Sequence, residues 1–134
     1  DMQSVVLRAK LKRIDRYNAS RRHAAHLYSE LMADLPIETP FEDGIGVHVY
    51  HQYTLLSDRR DEILEALQAK QISCSIFYPV PLHQQNVFKE DCAGLSLPAT
   101  EAIAARCMSL PICSEISDES IKEIVAVIRS VFAG

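Results

Sequence analysis

No proline or glycine occurs between Met2 and Leu35, and that gap constrains the fold more than any other feature of the chain. Proline and glycine are the residues that break helices, the first by losing an N–H and the second by backbone entropy. Within the gap Leu7, Leu11 and Ile14, then Ala24, Leu27, Tyr28, Leu31 and Leu35, recur at spacings of three and four. That period belongs to a helix with one apolar face. The spacing predicts one long helix or two in succession, with Asn18-Ala19-Ser20 as the weakest point. Periodicity begins almost at Asp1-Met2-Gln3 without a start signal, which reads as a helix cut from something longer.

Punctuation then changes. Pro36, Pro40, Gly44 and Gly46 mark a connecting loop over 36–47. Val49 to Leu56 is rich in β-branched and aromatic residues and predicts a strand. Ser57-Asp58 predicts the cap of a helix, with Asp61 and Glu62 near its positive end and Ile63, Leu64 and Leu67 facing inward. Ile72 to Phe77 alternates apolar and small polar residues, as a strand buried on one face does. From Tyr78 to about Leu97 there is no clear period, and loops of that length in a compact domain are usually functional or disordered. Pro98 predicts the first turn of a helix with Glu101 beside it, Cys107 to Ile112 a short strand, and Ser117-Asp118-Glu119 the cap of a last helix. Its stripe is Ile121, Ile124, Val125, Ile128, Val131 and Phe132. The order predicts a single α/β (α+β) domain over 1–134, with a small two- to three-stranded sheet covered by helices.

Composition excludes several classes. Apolar residues at 48% and charged residues at 24% are ordinary for a globular chain. No apolar run approaches membrane-spanning length, and no signal segment opens the sequence, so a cytoplasmic protein is expected. Cys74, Cys92, Cys107 and Cys113 follow no metal-finger or CxxC spacing and read as reduced, mostly buried thiols. Half of the 14 basic residues, Arg8, Lys10, Lys12, Arg13, Arg16, Arg21 and Arg22, lie in the first helical stretch. They point around much of the helix without interleaved aromatics, and the net charge is −4. A solvated face is favoured over a nucleic-acid site.

Catalytic motifs are sparse. His48 and His51 fall on opposite faces of a strand, while His23 and His26 share a helix side with no ligand partner nearby in sequence. Neither pair indicates a metal. No GxSxG elbow, cysteine–histidine pairing or glycine-rich phosphate loop is present. Lys10, Lys12, Lys70, Lys89 and Lys122 all sit among polar neighbours, unlike a desolvated Schiff-base lysine. One constellation remains. The strand ending at Phe77 leads into Tyr78-Pro79-Val80-Pro81-Leu82-His83, where two prolines hold a phenol and an imidazole in set directions. On physical grounds this is either a ligand-orienting strand end or a packed loop capped by Tyr78 and His83.

The runs Asp1-Met2-Gln3-Ser4, His48-Val49-Tyr50-His51-Gln52-Tyr53 and Phe77-Tyr78-Pro79-Val80-Pro81-Leu82-His83, with Ser109-Leu110-Pro111 before a terminal helix, resemble the sugar aminotransferases of the DegT/DnrJ/EryC1/StrS family. The resemblance extends from the first residue nearly to the last. It implies the small C-terminal domain of a fold-type-I transaminase that uses pyridoxal phosphate to move an amino group, usually from glutamate, onto a nucleotide-linked keto sugar. In such enzymes the cofactor lysine and phosphate-binding residues belong to a large domain, which these residues lack. Phe77, Tyr78, Pro79 and His83 are carried over as substrate-bordering. Tyr78, Pro79 and His83 match the family's motif, whereas Phe77 replaces a histidine and implies a different sugar or a stacking contact.

The first expectation is thus an enzyme portion that is inactive and binds no cofactor alone. The second is a stand-alone, non-catalytic binding or dimerisation module of the same fold. A homodimer is expected, because Val5, Val6 and Leu7 leave an apolar flank in need of cover. Neither nucleic acid nor a membrane is expected as a partner.

Overall fold

A computed structural model describes residues 2–133. Asp1, the first residue of the opening family-like run, lies outside them. The described elements are α1 (Met2–Leu11), α2 (Ile14–Leu31), β1 (Tyr53–Leu56), α3 (Arg60–Ala69), α4 (Pro98–Arg106), β2 (Cys107–Leu110) and α5 (Asp118–Phe132).

The opening stretch is two helices, as one of its two expected forms required, but the break falls at Lys12–Arg13 and not at Asn18–Ser20. Ser20 lies within α2, its hydroxyl donating back to the Arg16 carbonyl at 3.1 Å. Ala24, Ala25 and Tyr28 of α2 are buried, and the two alanines let the neighbouring helix approach closely. That neighbour is α5. Its Ile121, Ile124, Val125 and Ile128 are buried at the predicted spacing, and Ser117 Oγ accepts the Ser120 N–H at 3.2 Å. Arg129 reaches from the last turn of α5 to the Leu31 carbonyl at 2.7 Å and to Asp34. One guanidinium therefore satisfies a carbonyl that the end of α2 leaves unpaired.

β1 and β2 form an antiparallel pair in the register Tyr53↔Leu110, Thr54↔Ser109, Leu55↔Met108 and Leu56↔Cys107. Single bridges extend it on each side, Glu38↔Leu56 beside β1 and Ser75↔Ser109 beside β2. Alternation divides the two faces. Tyr53, Leu55, Met108 and Leu110 meet α2, α3 and α5 in one core with Ile63, Leu67 and Ile128. A fully buried isoleucine such as Ile128 contributes about 1.5–3 kcal/mol to that core. On the other face Thr54 and Ser109 pair their hydroxyls at 2.8 Å, and Cys107 lies beneath α4 and Phe77.

All three strands are shorter than the sequence predicts, β2 ending at Leu110 and not at Ile112. The strand expected over Val49–Leu56 begins at Tyr53. Tyr50 lies in the left-handed region at φ 47°, its N–H taken by His48 Nδ1 at 3.0 Å and its ring 4.1 Å from the His48 ring. The run 72–77 keeps the expected alternation, with Ile72, Cys74 and Ile76 inward and Ser73, Ser75 and Phe77 outward, yet only Ser75 joins the sheet. The cap before α3 is also displaced. Ser57 Oγ accepts the Arg59 N–H at 3.2 Å in a turn, and the helix starts at Arg60.

Candidate functional site

Two grooves adjoin at Phe77, on the face of the sheet opposite the main core. The first, about 430 Å³, runs between residues 77–85 and α4, with Phe77, Tyr78, Val80, Pro81, Leu82 and Gln85 on one wall, Thr100, Ile103 and Ala104 on the other, and Cys107 at its floor. It is almost wholly apolar. The second, about 370 Å³, is lined by His51, Gln52, Ser73, Ser75, Ser109 and Cys113 among others, and shares Phe77. Its hydroxyl, amide and imidazole groups can exchange hydrogen bonds with a polar ligand, and the ring between the grooves offers a flat apolar face. Phe77 and Tyr78 are joined by a cis peptide, their rings 5.7 Å apart edge to face.

Sequence position alone does not bring these groups together. His51-Gln52 arrives on the segment leading into β1, and Ser73-Ser75-Phe77 on the strand-like run beside β2. The Ser75↔Ser109 bridge, with backbone bonds of 2.7 and 3.2 Å, holds that run in place. Burial pushes the Cys74 thiol up, so it stays protonated and is a poor nucleophile.

The 36–52 loop is clamped to α2 by Glu42. Its carboxylate accepts hydrogen bonds from Tyr50 Oη and His26 Nε2, both at 2.6 Å, and from Arg22 at 3.0 Å. Those bonds, the one from Tyr50 foremost, hold its pKa down to about 2. His23 pairs separately with Asp118 at 2.9 Å. The two helix histidines thus have carboxylate partners that are distant in sequence, and a different one each. Among the described residues no group of three or more His, Cys, Asp or Glu side chains is placed to hold a metal ion, and no helix is long and apolar enough to cross a membrane.

The model of the DegT/DnrJ/EryC1/StrS aminotransferase family matches residues 1–129. The chain belongs to that family. It is 38% identical over 134 residues to a UDP-N-acetyl-3-dehydro-alpha-D-glucosamine 3-aminotransferase of Acidithiobacillus ferrooxidans, covering all of this chain and 36% of that protein. It is 34% identical over 140 residues to a dTDP-3-amino-3,4,6-trideoxy-alpha-D-glucose transaminase of Micromonospora megalomicea, covering all of this chain and 37% of that one. The structure of S. venezuelae DesV in complex with a ketimine intermediate matches with a TM-score of 0.94 at 30% identity, over 99% of this chain and 36% of DesV. A family aminotransferase from Brucella abortus matches with a TM-score of 0.90, also at 30% identity, over 98% of this chain and 35% of that one. The chain therefore spans little more than a third of the length of these relatives.

Of the four family residues carried over from sequence, Phe77 and Tyr78 line the first groove, and Tyr78 is 73% exposed. Pro79 follows them on the exposed rim without lining either groove. His83 is turned away. Its side chain is buried, and Nε2 meets Glu101 Oε1 at 2.9 Å. Ser75 and Gln52 were not singled out by motif reasoning, although the run that contains Gln52 carried the family resemblance. Neither groove is lined by a lysine, an arginine or a carboxylate, and all five lysines are exposed. Pyridoxal phosphate needs a desolvated amine for its aldehyde and cationic or N–H donors for its phosphate. Neither of these two grooves supplies that set of groups.

Proposed function

We propose that these residues form the small, substrate-bordering domain of a pyridoxal-phosphate-dependent aminotransferase that acts on a nucleotide-linked keto sugar, with glutamate as amino donor. The carrying observation is the convergence at Phe77. Segments 48–53 and 77–83, separate in sequence and both family-like, border one pair of grooves in a fold shared with DesV. Supporting it, relatives at 38% and 34% identity are named as aminotransferases of UDP- and dTDP-linked sugars. In this reading the hydroxyl-lined groove takes the polar part of the substrate. Phe77 packs on it, and Tyr78 and Pro79 stand at the rim. The cofactor lysine lies in a larger domain outside this sequence, and the enzyme works as a cytoplasmic homodimer.

Absorbance titration with pyridoxal phosphate tests this. The 134-residue chain alone develops no saturable aldimine band. The same residues joined to a larger domain carrying the cofactor lysine develop one and aminate a nucleotide-linked keto sugar from glutamate. A saturable band from the chain alone overturns the assignment of the cofactor to another domain. Sugar-nucleotide binding without turnover in the joined protein supports a binding module instead.

A further inference from the structure

His83 is the one buried polar side chain of the segment between Phe77 and Leu97, its imidazole 5% exposed. It sits on a single helical turn, Leu82–Gln84, and lies between two groove-lining residues, Leu82 and Gln85. Its Nε2 is 2.9 Å from Glu101 Oε1. The same oxygen accepts the Leu97 N–H at 2.8 Å, which closes the first turn of α4. Thr100, Ile103 and Ala104 of α4 form the opposite wall of the groove. One carboxylate oxygen therefore ties the turn that carries one wall to the helix that carries the other. Pro79 and Pro81 stiffen the backbone between Tyr78 and His83, so a displacement at His83 is passed to Tyr78 and not absorbed between them. A buried ring nitrogen deprived of its partner is unfavourable, and the walls cannot part without breaking this contact.

We infer that His83 and Glu101 form a brace that sets the spacing of the groove walls. Both are then positioning residues and neither touches the ligand. That the groove borders a nucleotide sugar rests on the function proposed above; the brace itself does not.

NMR of the full 134-residue chain tests the brace with His83→Phe and Glu101→Gln. The first keeps a buried ring and leaves the Leu97–Glu101 bond intact; the second keeps an oxygen for Leu97 but removes the charge. The expected result is that amide resonances over 77–82 and 100–104 shift together in both variants, while those of the α5 core stay in place. Shifts confined to the substituted residue and its chain neighbours overturn the brace. In the complete aminotransferase, His83→Phe raises KM for the nucleotide-linked keto sugar on the order of tenfold, with kcat changed by less than about twofold. A fall in kcat at unchanged KM overturns the positioning role. Absence of turnover by the wild-type enzyme counts against the proposed function alone, and the NMR result then decides the brace.

Discussion

Glu42 shows how much one side chain can organise at the scale of a residue. Three donors 8, 16 and 20 positions away converge on its carboxylate, and together they fasten a proline- and glycine-broken loop onto α2. The loop's own turn is local by contrast. Asp43 Oδ1 accepts the N–H groups of Ile45 and Gly46 while Gly44 takes φ 75°, a conformation that glycine adopts without strain. Because the Glu42 pKa falls from an ordinary 4.5 to about 2 on folding, its contribution to stability is fully present above pH 4.5 and is lost as pH falls toward 2. Glu42→Gln should therefore lower Tm by a few degrees at neutral pH and flatten the loss of Tm below pH 4.5, as measured by thermal denaturation across that range. An acid profile that overlays the wild type would mean that another group titrates. None of this was legible in sequence, where Glu42 is one acidic residue in a loop. His83 is the converse case. Its place in a motif was legible, but the direction of its ring depended on Glu101, 18 residues further on.

At the scale of elements, several signals contained within one or two turns transferred directly. Pro98 opens α4, Ser117 caps α5, and the α5 stripe is buried where its spacing placed it. Replacing Ser117 with alanine should cost about 1 kcal/mol of unfolding free energy, read from urea denaturation, with a smaller loss for Ser117→Gly. No measurable loss in Ser117→Ala would show that the hydroxyl is not the operative group. Signals that depend on a neighbouring strand transferred only in part. The alternation over 72–77 correctly told inward from outward residues, because it records which side chains are buried. The number of ladder bonds depends instead on how long two backbones stay within the strand spacing of about 5 Å, and the run 72–77 makes a single bridge. The loss of Val49–Gln52 from β1 has a similar origin. Their β-branched and aromatic character favours extension, but the bond from the Tyr50 N–H to His48 Nδ1 and the one from Tyr50 Oη to Glu42 accompany a left-handed residue instead.

The whole molecule is asymmetric in its packing. No residue of α1 is buried, and Leu7 and Leu11, one turn apart on the same side, are 66% and 70% exposed, whereas α2, α3 and α5 enclose a continuous core. An apolar helix flank of this kind favours association. Sedimentation at high concentration should show a dimer, and Leu11→Lys should shift it toward monomer with little change in the unfolding of the core. A wild-type chain that stays monomeric would rule this association out. Sequence by itself determined the order of the helices and of the two paired strands, the buried stripe of α5, the family and the segment that meets the grooves. Each of these is written in periodicity, caps and motifs that span a few neighbouring residues. Tertiary structure alone decided the length of the sheet, the meeting of His51, Gln52 and Ser75 at Phe77, and the inward turn of His83. Those outcomes depend on hydrogen bonds and packing between residues far apart in the chain, whose partners become definite only when the helices close on the sheet.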